Sequence, residues 1–266
     1  MRKLTKDMSV FAEAAQLKEK RVVITGAGRG LGAALAIILA DMGCRPILCG
    51  RDDKALLSVH RVIAERVQHD APIVELDLAD AESVERAVRR IEGLATPVDM
   101  LINNGAMWLE AAHQPHPAEE VVATVNAAVT GTFLLTQGLL PLLRQSVTPD
   151  VVTIGSISGL PNAPLHSAAV PFYAAKRGQT AIGEGLRQQL RGTNVRSIVV
   201  HPPYLDDTLP TDPEWQASSN LQKNARATTR DVVEAVIFAI TRPRHITLDI
   251  ILDADEGGLH ALAPDP

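Results

Sequence analysis

"RVVITGAGRGLG", Arg21 to Gly32, sets a β-branched run directly against a cluster of glycines. The run reads as a strand, and Leu31 to Met42 reads as the helix after it, with Gly43 at its C-cap position. Glycines at such a junction let the backbone come close to a pyrophosphate, while the helix N-terminus offers unpaired N–H donors to it. A bare G-x-G-x-x-A match at Gly28, Gly30 and Ala33 is weak alone. Its place at the first strand-helix junction of an alternating chain gives it force.

Working outward, short β-branched runs alternate with longer segments of helical period, the order expected for a parallel sheet with helices on both faces. "RPILCG" is a second strand, followed by a charged helix from Asp53 to about His69, the strand "PIVELD" and a helix from Ala81 to about Glu92. "VDMLINN" is a fourth strand, two long helices bracket "DVVTIGS", and "VRSIVVHPP" is a sixth strand. Thr228 with Asp231 three residues on predicts a capping box for a helix to Thr241, and "HITLDIILD" is the last strand. Pro203 to Ala227 is the one long irregular insertion, a length typical of lids.

The chain has 266 residues, of which 46% are hydrophobic, enough for one large core. A net charge of −5 with scattered cations argues against nucleic acid or anionic lipid as a partner. Cys44 and Cys49 flank one short apolar run, poor geometry for a bridge, and read as buried thiols of a reducing compartment. The first 20 residues are charged throughout, and the longest apolar run, "AALAIILA", is too short to cross a bilayer, so a cytoplasmic protein without membrane attachment is expected. His113 and His116 lie among prolines without an acidic partner at helical spacing, so no metal site is expected.

These motifs resemble those of the short-chain dehydrogenase/reductase family, whose T-G-x-x-x-G-x-G pattern is met by Thr25, Gly26, Gly30 and Gly32. The resemblance runs from about Arg21 to Gly258. Asp77-Leu78 resembles the family's adenine-contacting pair, "NNGA" at Asn103 to Ala106 its N-N-A-G with the last two residues exchanged, and Asn126 the asparagine of its fourth helix. "IGSISG" places Ser156 at the catalytic serine, with Ser158 a weaker candidate, and Lys176 matches the catalytic lysine. The resemblance implies an α/β fold: a single doubly wound Rossmann domain at 20–258, with a central parallel sheet of about seven strands and helices on both faces. Residues 1–19 are then an N-terminal extension, 203–227 a substrate loop and 259–266 a tail. It also implies a nicotinamide cofactor held by Gly26, Arg29, Gly30, Leu31, Gly32, Arg51, Asp77, Leu78, Asn103, Gly105 and Lys176, and a homodimer or homotetramer formed through the two long helices.

Charge after the second strand favours NADP(H) over NAD(H). A carboxylate there would suit ribose hydroxyls, whereas Gly50 and Arg51, with Arg29 in the nearby turn, suit an added phosphate. Arg51 pairing with Asp52 or Asp53 is the plain alternative.

The proton donor is less regular. Family members carry a tyrosine four residues before the lysine, on the same helical face. In "PFYAAKRG" that place holds Phe172, and Tyr173 is three before Lys176. Neighbouring positions differ by about 100° around a helix, carrying the Tyr173 hydroxyl on the order of 10 Å away. Pro171 suits a regular helix start and puts Phe172 in the tyrosine slot; a tight or bulged first turn would swing Tyr173 inward instead. Tyr204, His166 and His201 are other candidate donors. Met107, Trp108 and Leu109 are expected to form an apolar substrate wall. The expected function is an NADP(H)-dependent oxidoreductase that interconverts a carbonyl and an alcohol of a small molecule, with Asn126, Ser156, Tyr173 and Lys176 as catalytic candidates. The alternative is a silent family member that binds NADP(H) as a structural or sensing ligand.

Overall fold

A computed structural model describes residues 16–67, 69–165 and 167–259. Most of the expected N-terminal extension, His166 and nearly all of the tail therefore lie outside the described residues.

The chain alternates as β1 (Arg21–Thr25), α1 (Gly30–Asp41), β2 (Arg45–Gly50), α2 (Asp53–Val67), β3 (Ile73–Glu75), α3 (Ala81–Leu94) and β4 (Met100–Asn103). It continues as α4 (Ala118–Val125), a π-helical turn (Asn126–Gly131), α5 (Thr132–Leu143), β5 (Asp150–Ile154), α6 (Val170–Gln189) and β6 (Arg196–His201). Short α7 (Pro213–Ala217), then α8 (Thr229–Thr241) and β7 (Asp249–Ile251), complete it. The seven strands pair in parallel in the order β3-β2-β1-β4-β5-β6-β7. This is the doubly wound Rossmann sheet that the sequence predicts.

Strand residues alternate between two cores because side chains along a strand point to opposite faces. Val22 and Ile24 face the layer of α1, α2 and α8, and Val23 faces the layer of α3, α5 and α6. Every strand of the sheet centre is buried on both sides, which explains its continuous apolar runs. Helix α1 is apolar all round because it is packed between α2 and α8 as well as on the sheet. Gly43, at φ 86°, follows its C-terminus in the left-handed conformation. The capping box at α8 forms as read, with Thr228 Oγ1 accepting from the Asp231 N–H and the Asp231 carboxylate accepting from the Thr228 N–H. Cys44 and Cys49 are free and buried, and burial pushes both thiols up to about 12.

Helices α4 and α5 join through the π turn into the first of the two expected long helices, Ala118–Leu143, which is long and apolar enough by length and composition to cross a membrane. Half of it is buried in the domain, and Leu135, Leu139 and Leu143 pack into the second core, so its apolarity has a packing explanation. The 203–227 segment is less irregular than its prolines imply: α7 inserts Trp215 into the first core, and Asp206 ties the segment to the Thr229 N–H at 2.8 Å.

The strand order reverses between β1 and β4. One chain connection leaves toward β2 and the next returns beyond β1, so the loops diverge and open a crevice at the strands' carboxyl ends.

Candidate active site

That crevice is a cleft of about 1270 Å3, above the usual range for a single small ligand. Its first end is built from backbone. Gly30 begins α1 at φ 49°, and a Cβ on Gly32 would lie 2.1 Å from the Gly26 carbonyl oxygen, so the turn folds flat against its own helix. Thr25 Oγ1 accepts from the Asn104 and Gly105 N–H groups at 3.0 and 2.8 Å, and Asn104 Nδ2 donates to the Thr25 carbonyl at 3.0 Å. These bonds clasp the ends of β1 and β4 together at the switch point. No side chain caps α1 and no acid lies in its first turn, which leaves its N–H groups facing the cleft. Such a donor set, with no Cβ in the way, fits a pyrophosphate. Arg29 and Arg51 line the same end, and among the described residues neither is in an ion pair. Asp52, the plain partner for Arg51, instead accepts from the Lys54 and Ala55 N–H groups at the start of α2. One carboxylate intrudes: a Cβ on Gly30 would lie 2.6 Å from Asp207 Oδ1.

The other end is built from side chains. Ser156 follows β5 in extended conformation, and its Oγ accepts from the Ser158 N–H at 3.1 Å, leaving its own proton free to donate. Lys176 projects from α6; its Nζ donates to the Ile154 carbonyl at 3.1 Å and to Gln179 Oε1 at 2.8 Å. Burial pulls the ammonium down to about 8. Gln179, itself fully buried, donates onward to Thr132 Oγ1 at 3.4 Å, which donates to the Ala127 carbonyl inside the π turn.

Helix α6 starts regularly: Ala169 is extended, Pro171 sits in the first turn, and the Tyr173 N–H bonds to the Ala169 carbonyl at 3.0 Å. Phe172 therefore shares the face of Lys176 and lines the cleft, its ring centroid 6.0 Å from Nζ. Tyr173 points off the cleft wall, and the bulged start that would have brought it inward is not there. Trp108 meets Phe172 edge-on at 4.6 Å and Tyr204 at 6.1 Å, so three rings form one wall. Met107 lines the cleft as expected, but Leu109 turns into a small buried cluster behind Phe172. His201, the buried last residue of β6, has its Nε2 2.9 Å from Asp249 and its Nδ1 3.3 Å from the Ser156 carbonyl, and it supports the serine's backbone without lining the cleft.

Of the residues singled out from the sequence, Gly26, Arg29, Gly30, Leu31, Arg51, Asp77, Leu78, Gly105, Ser156 and Lys176 line this cleft. Gly32, Asn103, Asn126 and Tyr173 do not. Asn103 is turned inward, donating to Thr136 Oγ1 at 2.9 Å, because alternate residues of a strand face opposite ways; Asn104, the next residue, lines the cleft instead. Asn126 is half-buried at the first position of the π turn. Asn104, Asp207 and Gln179 escaped the sequence reading. For Gln179 a signal existed, a polar side chain three residues after the lysine on the same helical face.

A family model described as short chain dehydrogenase matches residues 20–218. An uncharacterized oxidoreductase of Staphylococcus saprophyticus is 27% identical over 234 residues, covering 88% of this chain and 96% of the relative. One from Staphylococcus aureus is 25% identical over 235 residues, with the same shares covered. Among solved structures, L-sorbose reductase from Gluconobacter frateurii, complexed with NADPH and L-sorbose, superposes with a TM-score of 0.77 at 19% identity, covering 92% of this chain and 98% of the other. A short chain dehydrogenase from Burkholderia cenocepacia in complex with NADP gives 0.74 at 24% identity, covering 92% and 99%. At these identities the two structures share the fold. Sheet order, glycine-rich turn and family match agree along most of the chain, which belongs to the short-chain dehydrogenase/reductase family of oxidoreductases.

Proposed function

We propose that this protein is an NADP(H)-dependent oxidoreductase that interconverts a carbonyl and an alcohol on a small molecule. The observation that carries the reading is one cleft lined at one end by Arg29, Arg51 and the free N-terminus of α1, and at the other by Ser156 and Lys176. Bound there, the dinucleotide supplies or accepts the hydride. Arg29 and Arg51 bind the added phosphate through charge-assisted bonds, while Asp77 and Leu78 flank the adenine. Ser156 donates its free proton to the substrate oxygen and polarises it. Lys176 holds ribose hydroxyls and adds positive charge beneath the reacting atoms. Asn126, at the π turn, holds a water near Lys176. Residues 203–227 cover the substrate.

Phe172 in the tyrosine slot leaves that position without a phenol, Tyr173 does not line the cleft, and the phenol that does, Tyr204, stands on its wall beside Trp108. This same observation favours a second reading, a silent protein that binds NADP(H) as a structural or sensing ligand. Turnover of any carbonyl by the wild type removes it. NADP(H) preference is supported by two arginines that form no ion pair among the described residues and by the NADPH and NADP complexes of the two structural neighbours. Calorimetric titration tests it: NADPH is expected to bind more tightly than NADH, and Arg51→Ala to remove about 1.5 to 3 kcal/mol from NADPH alone. Equal affinities in the wild type defeat the preference. The protein acts in the cytoplasm as a homodimer or homotetramer joined through α4–α5 and α6, a reading supported by exposed Val122 and Phe133 on the first of these helices. Sedimentation at micromolar concentration showing only a 28.5 kDa monomer would remove it.

A further inference from the structure

The chain has only two tryptophans, two tyrosines and four phenylalanines, yet one of each meets at the reacting end of the cleft. Trp108 and Tyr204 are 45% and 53% exposed there, and the Arg226 guanidinium lies 5.7 Å from the centre of the Tyr204 ring. Phe172, beneath them, replaces the group that would hand a proton to a newly formed alkoxide. Resting on the oxidoreductase reading above, we infer that the cleft accepts a para-quinone, a flat acceptor held against Trp108 and Tyr204 and reduced without an acid in the slot that Phe172 fills.

The chemistry decides between acceptors. Hydride addition to an isolated ketone leaves a localised alkoxide with a proton affinity near that of hydroxide, whose conjugate acid, water, has a pKa of about 15.7. Hydride addition to one oxygen of a quinone forms an O–H bond, shifts the π electrons through the ring to make it aromatic, and leaves the far oxygen as a phenolate. The conjugate acid of a phenolate has a pKa of about 10, so the charge is roughly six powers of ten easier to leave unprotonated. The quinone is reduced by two electrons, the dihydronicotinamide is oxidised, and a proton from water completes the hydroquinone afterwards. What the site retains suits that anion: the Ser156 hydroxyl proton, and an ammonium at Lys176 with one of its three donors not taken by Ile154 or Gln179. What it lacks, a phenol at the position of Phe172 beside Lys176, this acceptor does not need. Flat rings also pack well against Trp108 and Tyr204 in offset or edge-to-face contact.

Tetramethyl-1,4-benzoquinone, whose ring has no free position for thiol addition, tests the idea against cyclohexanone. Without cofactor, it should quench Trp108 fluorescence saturably, and equilibrium dialysis should show its affinity falling at least about tenfold in Trp108→Ala, the scale of a lost aromatic contact. With NADPH, the quinone should turn over at least about a hundredfold faster than the ketone, the lower end of what a positioned acid contributes. Phe172→Tyr should narrow that ratio by raising ketone turnover more than quinone turnover. Absence of saturable quenching overturns the proposal, as does equal turnover of quinone and ketone, or NADPH binding with no quinone turnover. If calorimetry shows that NADPH itself does not bind, the oxidoreductase reading fails as well, and the quenching result still decides whether the wall holds a quinone.

Discussion

At its phosphate end the cleft is lined by backbone, and at its reacting end by side chains, so the two ends respond to change in different ways. The glycine-rich turn excludes side-chain atoms: a Cβ on Gly32 would meet a carbonyl oxygen at 2.1 Å, and main chain cannot step aside as a rotamer can. At the other end, Phe172 stands where the family has a phenol, with the helix start and the lysine register intact. A family can therefore keep its cofactor cradle while its chemistry is rewritten one side chain at a time. Recognition of the dinucleotide is tied to the fold, whereas the choice of reaction is not.

The largest expected effect breaks the phosphate end. Gly32→Val should abolish NADPH binding by calorimetry, because the added carbons collide with the Gly26 carbonyl and with Asn104 Nδ2, 2.6 Å from the first of them. Retained binding would mean that the turn is more pliable than its geometry indicates.

The reacting end should show itself in the pH dependence of stability. Lys176 holds its proton less tightly when folded, with a value lowered from 10.5 to about 8 by burial. Between these values the unfolded chain binds more protons, so the contribution of Lys176 to stability rises as pH increases through that window and is lost as pH falls through about 8. Denaturant titrations of wild type and Lys176→Met should differ by an amount that changes in this direction from pH 7.5 to 10.5. A constant difference would place the ammonium in a wetter site than the contacts to Ile154 and Gln179 imply.

The smallest effect refines the comparison, since the Asp207 carboxylate is set against Gly30 in the glycine-rich turn. Two unit charges 4 Å apart in a water-like medium interact by about 1 kcal/mol, so Asp207→Asn should tighten NADPH roughly fivefold. The gain should shrink as salt is raised. Weaker binding in the variant would instead make Asp207 a ligand of the cofactor's sugars.

How far each feature could be read follows from how local its cause is. The turn from Thr25 to Gly32, the Gly43 cap and the Thr228–Asp231 box are settled within a few residues of chain, and all were legible. The slot of Phe172 was favoured by helical period and Pro171, and the regular start of α6 removed the bulged alternative. Asn103 and Asn104 exchanged places because which strand residue faces the crevice depends on where β4 ends, and that depends on its neighbours β1 and β5.

By itself, the sequence determined the doubly wound sheet, the glycine-rich turn and the off-by-one spacing of Tyr173 and Lys176, since each is written in local backbone preference and periodicity. The tertiary structure alone decided that Trp108, Phe172 and Tyr204 form one wall, that Asp207 reaches Gly30, and that Gln179 holds Lys176 within a buried polar chain. Trp108, Phe172 and Tyr204 sit on separate loops and a helix far apart in the chain. Only the parallel sheet, by directing the carboxyl ends of β4, β5 and β6 to one edge, brings them together.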